Sequence, residues 1–171
     1  SKLWRKYYTA RIDHIDGLWS NLEKEYESIQ HNPCAEPLLR AYAVCDLGAV
    51  LRHRGHASRS LQVLESVPLP DGSLDSKLIH RFLELSDTYR ELGKWNEAIA
   101  SIDKAGLLFA EAGDFYNQIY TISRRRFHYL DWGIWKEGLQ FHRTGLEALN
   151  KLPEHSSIKI NFLGNLAIAW A

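Results

Sequence analysis

Arginine recurs at matched places in this chain, and a guanidinium held in a fixed place suits one task in particular. Its fork of N–H donors grips a carboxylate or a phosphate through parallel hydrogen bonds. Arg52 and Arg90 each stand three residues before a glycine, Gly55 and Gly93, and Arg11 with His14 precedes Gly17 in a comparable place. Asp87 sits one helical turn before Arg90, and Tyr120 and Phe127 occupy the corresponding stretch further along, where a basic row would pass into aromatic surface. Arg11, His14, Arg52, Asp87, Arg90, Tyr120 and Phe127 are therefore the candidate partner-binding residues, with Arg52 and Arg90 stacked as a column for acidic groups. The competing reading is that arginine is a good exposed helix former whose recurrence carries no function.

Other chemistries find little support. The sequence has no G-x-S-x-G elbow, no H-E-x-x-H pair and no G-x-x-x-x-G-K-[ST] phosphate loop, so no catalytic residue and no cofactor is expected. His53 and His56 flank a turn without a carboxylate or thiolate close by in sequence, whereas a structural zinc site takes four ligands, so no metal site is expected. Arg124, Arg125 and Arg126 are consecutive, which on a helix spreads them round most of the circumference and denies them a single flat comb. Lys plus Arg and Asp plus Glu both number 21, so no net field draws nucleic acid or an anionic membrane to the whole surface. Cys34 and Cys45 form no C-x-x-C pair and read as reduced thiols.

The elements that must carry these residues repeat. Gly17, Gly55, Gly93 and Gly133 are spaced by 38, 38 and 40 residues, each between two stretches with helical apolar spacing. In the clearest unit Phe82, Leu85 and Tyr89 make one apolar stripe, Gly93 closes the helix, and Ala98, Ile99, Ile102 and Ala105 make the next stripe. The units run approximately over 3–31, 38–68, 76–112 and 115–152, with a partial fifth over 156–171. HNPCAEP, PLPDGS and Pro153 punctuate them.

The third unit resembles the tetratricopeptide repeat, with Leu85-Ser86 followed by Tyr89, then Gly93 and the small Ala98. Leu47-Gly48 followed by Leu51, and Leu166-Ala167 followed by Trp170, match the same pattern. The period near 40 and phrases such as FAEAGD are similar to the longer repeats of kinesin light chains and of sensor arms in bacterial switch ATPases and regulators. The resemblance implies an all-α, right-handed superhelical solenoid of antiparallel helix pairs whose first helices line a concave binding surface. Two departures carry expectations of their own. Arg126 stands where the family has a small residue between helices, so the fourth unit is expected to splay or turn this face outward. Leu22, in place of a small second-helix residue, predicts similar trouble in the first.

With 171 residues, 45% of them hydrophobic, the chain is long enough for one domain with a sizeable core. It has no Met and closes on NFLGNLAIAWA, inside a repeat, which suggests a segment of a longer protein. No apolar run reaches the length of a membrane span and SKLWRKYY lacks the core of a signal peptide, so a cytoplasmic setting is expected if Ser1 is a true start. Phe162, Leu166, Ile168 and Trp170 would leave an apolar patch that self-associates or meets a partner chain. The functional expectation is a non-catalytic module that binds a protein or peptide, acidic groups included. The alternative is the ligand-sensing arm of a larger signalling ATPase or transcriptional regulator.

Overall fold

The structure, a computed structural model, describes residues 1–68 and 74–150. The partial fifth unit, with Phe162, Leu166, Ile168 and Trp170, lies outside the described residues, as does most of the PLPDGS stretch. The described residues form helices α1 (Lys2–Ile15), α2 (Leu22–Gln30), α3 (Pro37–His53), α4 (Ala57–Ser66), α5 (Ser76–Glu91), α6 (Trp95–Glu111), α7 (Phe115–Asp131) and α8 (Trp135–Leu149).

Each helix pair turns in the same way. Gly55 has φ 81° and Gly93 φ 70°, in the left-handed region that a side chain disfavours. The N–H after each glycine reaches back five residues: His56 N donates to the Leu51 carbonyl at 2.9 Å and Lys94 N to the Tyr89 carbonyl at 2.9 Å. That bond satisfies a carbonyl which the end of the helix would otherwise leave orphaned. The pattern recurs at Gly17 and Gly133. Helix starts are marked too, with Asp75 and Asp114 accepting from the third residue onward and Pro37 opening α3 where no N–H is needed.

The chain divides into two compact units, Ser1–Ser101 and Ile102–Ala171, with the division inside α6. In the N-terminal unit one core gathers Tyr7, Ala10, Leu22, Tyr26, Ile29, Leu39, Leu47 and Leu51. Burying an aliphatic side chain of this size contributes about 1.5–3 kcal/mol, so the cluster outweighs any single polar contact around it. Leu22 does not disturb the first pair, contrary to the sequence expectation. It is 1% exposed, and α1 has the small, buried Ala10 in the same core.

The second pair is closer still. A Cβ on Gly48 would lie 2.4 Å from Leu64 Cδ2. Ser60 Oγ donates to the Gly48 carbonyl at 2.8 Å and sits 3.2 Å from Thr88 Oγ1 on α5.

In the C-terminal unit α7 and α8 pack along Gly138, whose Cβ would stand 2.8 Å from Leu130 Cδ2, and Tyr129 stacks on Phe141 at 5.4 Å. Ile119 and Leu149 form a smaller buried cluster with Leu146 and Ala148. Here the outward turn expected from Arg126 is overturned. Arg126 is 2% exposed, its guanidinium carbon lies 4.5 Å from the Phe127 ring centre, and burial pushes its pKa down. A planar, weakly hydrated guanidinium tolerates this place where a lysine ammonium would not.

Gly48→Ala offers a direct check on the close approach. Alanine favours a helix by about 1 kcal/mol over glycine, whereas overpacking a closed core costs about 1–3 kcal/mol. Leu64 is fully buried, so the clash should win. Urea denaturation is expected to show a net loss of about 1 kcal/mol; a gain would mean that Leu64 can move aside.

Candidate partner-binding face

In the N-terminal unit the first helices of the three pairs, α1, α3 and α5, follow one another, α3 touching both of the others. Their shared side carries a carboxylate at its centre. Asp46, on α3, is 3% exposed, and three groups close on it. The Tyr7 hydroxyl donates to Oδ2 at 2.7 Å, Arg11 donates to Oδ1 at 2.7 Å, and the Lys77 ammonium donates to Oδ1 as well. Burial, and after it the Asp46 charge, push the Tyr7 hydroxyl well above the ordinary phenol range, so it stays a donor. The side chains of Arg11 and Lys77 remain 35% and 24% exposed, so both cations present a second side to solvent.

Aromatic rings border this cluster. Trp4 meets Tyr42 edge to face at 5.9 Å and stacks on Tyr8 at 5.7 Å, and Tyr8 is 56% exposed. The Tyr42 hydroxyl donates to Asp75 Oδ2 at 2.6 Å, while Oδ1 of the same carboxylate caps α5 through Leu78 N. One acid thus starts α5 and fixes the ring beside it.

His14 packs edge to face on Trp19 at 4.7 Å, with Tyr26 6.2 Å away. Burial pushes its pKa below the usual 6.5; Asp46 opposes this, and Arg11, Lys77 and His53 add to it.

Arg52 is placed differently from the sequence expectation of an open column. It is 9% exposed and points from α3 into α5, where Glu84 lies at 3.0 Å, Glu91 at 3.3 Å and Asp87 at 3.6 Å. Three carboxylates already surround the fork, because spacings of three and then four residues on α5 bring Glu84, Asp87 and Glu91 to one side. Arg52 and Asp87 are thus brought together, as partners of each other. Arg90 lies half-buried in the last turn of α5.

The C-terminal unit holds the remaining candidates. Tyr120 and Phe127, seven residues apart on α7, share a side of that helix and are half-buried. Arg124 donates from Nε to the Tyr120 hydroxyl at 2.9 Å and covers its ring at 5.0 Å. Arg125 pairs with Asp103 and lies 4.4 Å from the centre of the Phe141 ring. It borders an open groove of about 460 Å³ whose apolar lining includes Ile102, Leu107 and Ile122. The three consecutive arginines thus meet three different surroundings.

Sequence reasoning missed Asp46, Lys77 and Tyr7. Asp46 lies where the period places Glu84, one turn before Ala49, and a lone acid inside an otherwise apolar helix was the available signal. Among the described residues no group of three or more His, Cys, Asp and Glu could hold a metal, and no helix is long and apolar enough to cross a membrane. Cys34 is exposed and Cys45 buried, both free, and burial pushes the Cys45 thiol up to about 12.

Two predictions follow from this geometry. Asp46→Asn keeps an acceptor for Tyr7 but leaves Arg11 and Lys77 facing a neutral group; a loss of about 2 kcal/mol in chemical denaturation is expected, and no loss would show that the cations relax into water. For His14 the folded pKa is lowered, so the unfolded chain binds the proton first and stability falls as pH drops below about 6.5. His14→Phe should flatten the decline in melting temperature between pH 7 and 5. Parallel curves for the two proteins would remove His14 from the account.

Comparison with solved structures supplies the wider frame. The fold matches a crystal structure of a Podosopora anserina protein described as a kinesin light chain with nearly identical TPR-like repeats. The TM-score is 0.73 at 15% sequence identity, over 99% of this chain and 85% of that one. The chain therefore has the all-α fold of tetratricopeptide-like repeats. No model of a protein family matches the sequence, and no curated protein does.

Proposed function

We propose that the protein is a non-catalytic interaction module that binds a protein or peptide along the α1, α3 and α5 side of its N-terminal unit. The observation that carries this reading is the pair of partly exposed cations, Arg11 and Lys77, held in place by a buried Asp46 beside the rings of Trp4, Tyr8 and Tyr42. A cation already fixed by an internal carboxylate loses little side-chain freedom when it takes a second acceptor from a partner. The adjoining rings offer apolar area of the kind that anchors interfaces.

The partner is a segment with an acidic group for Arg11 and Lys77 and an aromatic or aliphatic residue for Tyr8 and Tyr42. Arg52 acts by shaping the far part of the face through its carboxylates, and Arg90 and His14 border it. In the C-terminal unit Tyr120 and Phe127 provide a separate aromatic contact. Two unpaired cysteines suit a reducing compartment such as the cytoplasm.

Selection from a library of short acidic peptides, followed by calorimetric titration of the selected sequence, tests the reading. Arg11→Gln and Lys77→Gln are each expected to weaken binding at least tenfold, about 1.4 kcal/mol. Arg59→Gln, on α4 and facing Glu23 and Glu27 of α2, should leave affinity within about twofold as a control. Equal affinities for all three variants would put the binding surface elsewhere.

A further inference from the structure

Helix α1 presents an apolar stripe that nothing else in its unit covers. Tyr8, Ile12 and Ile15 recur at the spacing of one helix side and are 56%, 59% and 74% exposed, and Leu18, just beyond the turn, is 61% exposed. Single exposed apolar residues need no explanation, but four in a row along one helix and its turn mark a contact surface. Tyr8 adjoins the Arg11 face through Trp4, Ile15 follows Arg11 by one turn, and Ile12 lies further round the helix.

The charges along the same helix indicate what the contact is. Lys2 and Arg5 are exposed in its first turns, and Asp16 is exposed at its end next to Asp13. This order opposes the helix's own dipole, which favours acids at the start and bases at the end by about 0.3–1 kcal/mol each. Within α1 it is therefore unfavourable. It becomes favourable beside a second helix running the other way. Arg5 and Asp16 lie on the same border of the stripe, about 16 Å apart along the axis. A two-fold axis across the middle of the stripe places Arg5 of one copy opposite Asp16 of the second, twice over, with Tyr8, Ile12 and Ile15 of both copies between them.

We propose that this protein forms a weak homodimer through antiparallel pairing of two α1 helices. The interface is isologous: one self-complementary stripe with an Arg5–Asp16 pair at each end. Its area is that of a single helix side, at the low end for specific contacts, which fits a weak, concentration-dependent pairing. The stripe shares Tyr8 with the peptide-binding face, and Ile12, Ile15, Arg5 and Asp16 belong to the dimer contact alone.

Sedimentation of the 171-residue chain over about 5–500 µM tests it. The wild type should shift from monomer to dimer with concentration, and Ile12→Glu should remain monomeric throughout. Arg5→Asp and Asp16→Arg should each weaken the dimer at least fivefold, and the two together should restore it to within twofold, because the swapped pair reforms across the axis. These side chains are exposed, so circular dichroism should show the same helix content, and the charge-reversed variants, which relieve the dipole, should melt no lower than the wild type. A monomer at every concentration overturns the proposal. So does a dimer that survives Ile12→Glu, which would place self-association elsewhere, such as residues 151–171, and so does a double variant that fails to restore pairing.

Discussion

A carboxylate taken out of water costs several kcal/mol unless charge and hydrogen bonds are brought to it, and Asp46 receives both from its neighbours. The donors come from two other helices, Tyr7 and Arg11 from α1 and Lys77 from α5, so the rotation of each about its axis is tied to α3. The opposite arrangement holds at the other end of α3, where buried Arg52 is answered by three acids from α5. One helix thus carries a buried anion and a buried cation, each needing a neighbour in register. The rings of Trp4, Tyr8 and Tyr42 owe their positions to that register. What the face can offer a partner follows from it: a basic region with aromatic borders near Asp46 and an acidic region around Arg52.

The turns were open to sequence reading because their cause is local. A left-handed backbone leaves glycine nearly alone as a candidate, and Gly17, Gly55, Gly93 and Gly133 supply both the period and the ends of the first helices. The apolar stripes gave the helix pairs for the same reason. Arg11 and Arg52 could be singled out as face-lining cations, but neither the burial of Arg52 nor the partners of either could be read. Arg11 meets Asp46 across 35 residues and Arg52 meets Glu91 across 39, separations at which pairing depends on how two helices are rotated. Lys77 escaped notice because it precedes the periodic part of α5, and only the packed structure brings it to Asp46.

Arg126 shows where a family pattern misleads by size. A small residue at that point lets two helices meet, and a long one is expected to push them apart. In this chain α8 carries Gly138, so closeness is retained from the other side, and the arginine lies over the adjacent Phe127 ring. The exchange moves bulk from one helix of the pair to the other. Leu22 and Ala10 divide the space in the first pair in a comparable way. The volume shared by two helices is thus the constrained quantity, rather than the residue at either position.

The buried hydroxyls of Ser60 and Thr88 have a mechanical consequence. Ser60 bonds the Gly48 carbonyl, Thr88 bonds the Glu84 carbonyl, and the two oxygens lie 3.2 Å apart, so two hydrogens serve three contacts in the seam of α3, α4 and α5. Either proton can swing without opening the seam. Sliding α4 along its neighbours by one turn, about 5.4 Å, would instead part the Ser60 oxygen from the Gly48 carbonyl and from Thr88, whose own bond to Glu84 stays within α5, and would drive Leu64 away from the gap left by Gly48. The Ser60 hydroxyl therefore works as a pin: it ties α4 to the Gly48 carbonyl of α3 and to Thr88 of α5, and so resists slip along the length of the seam.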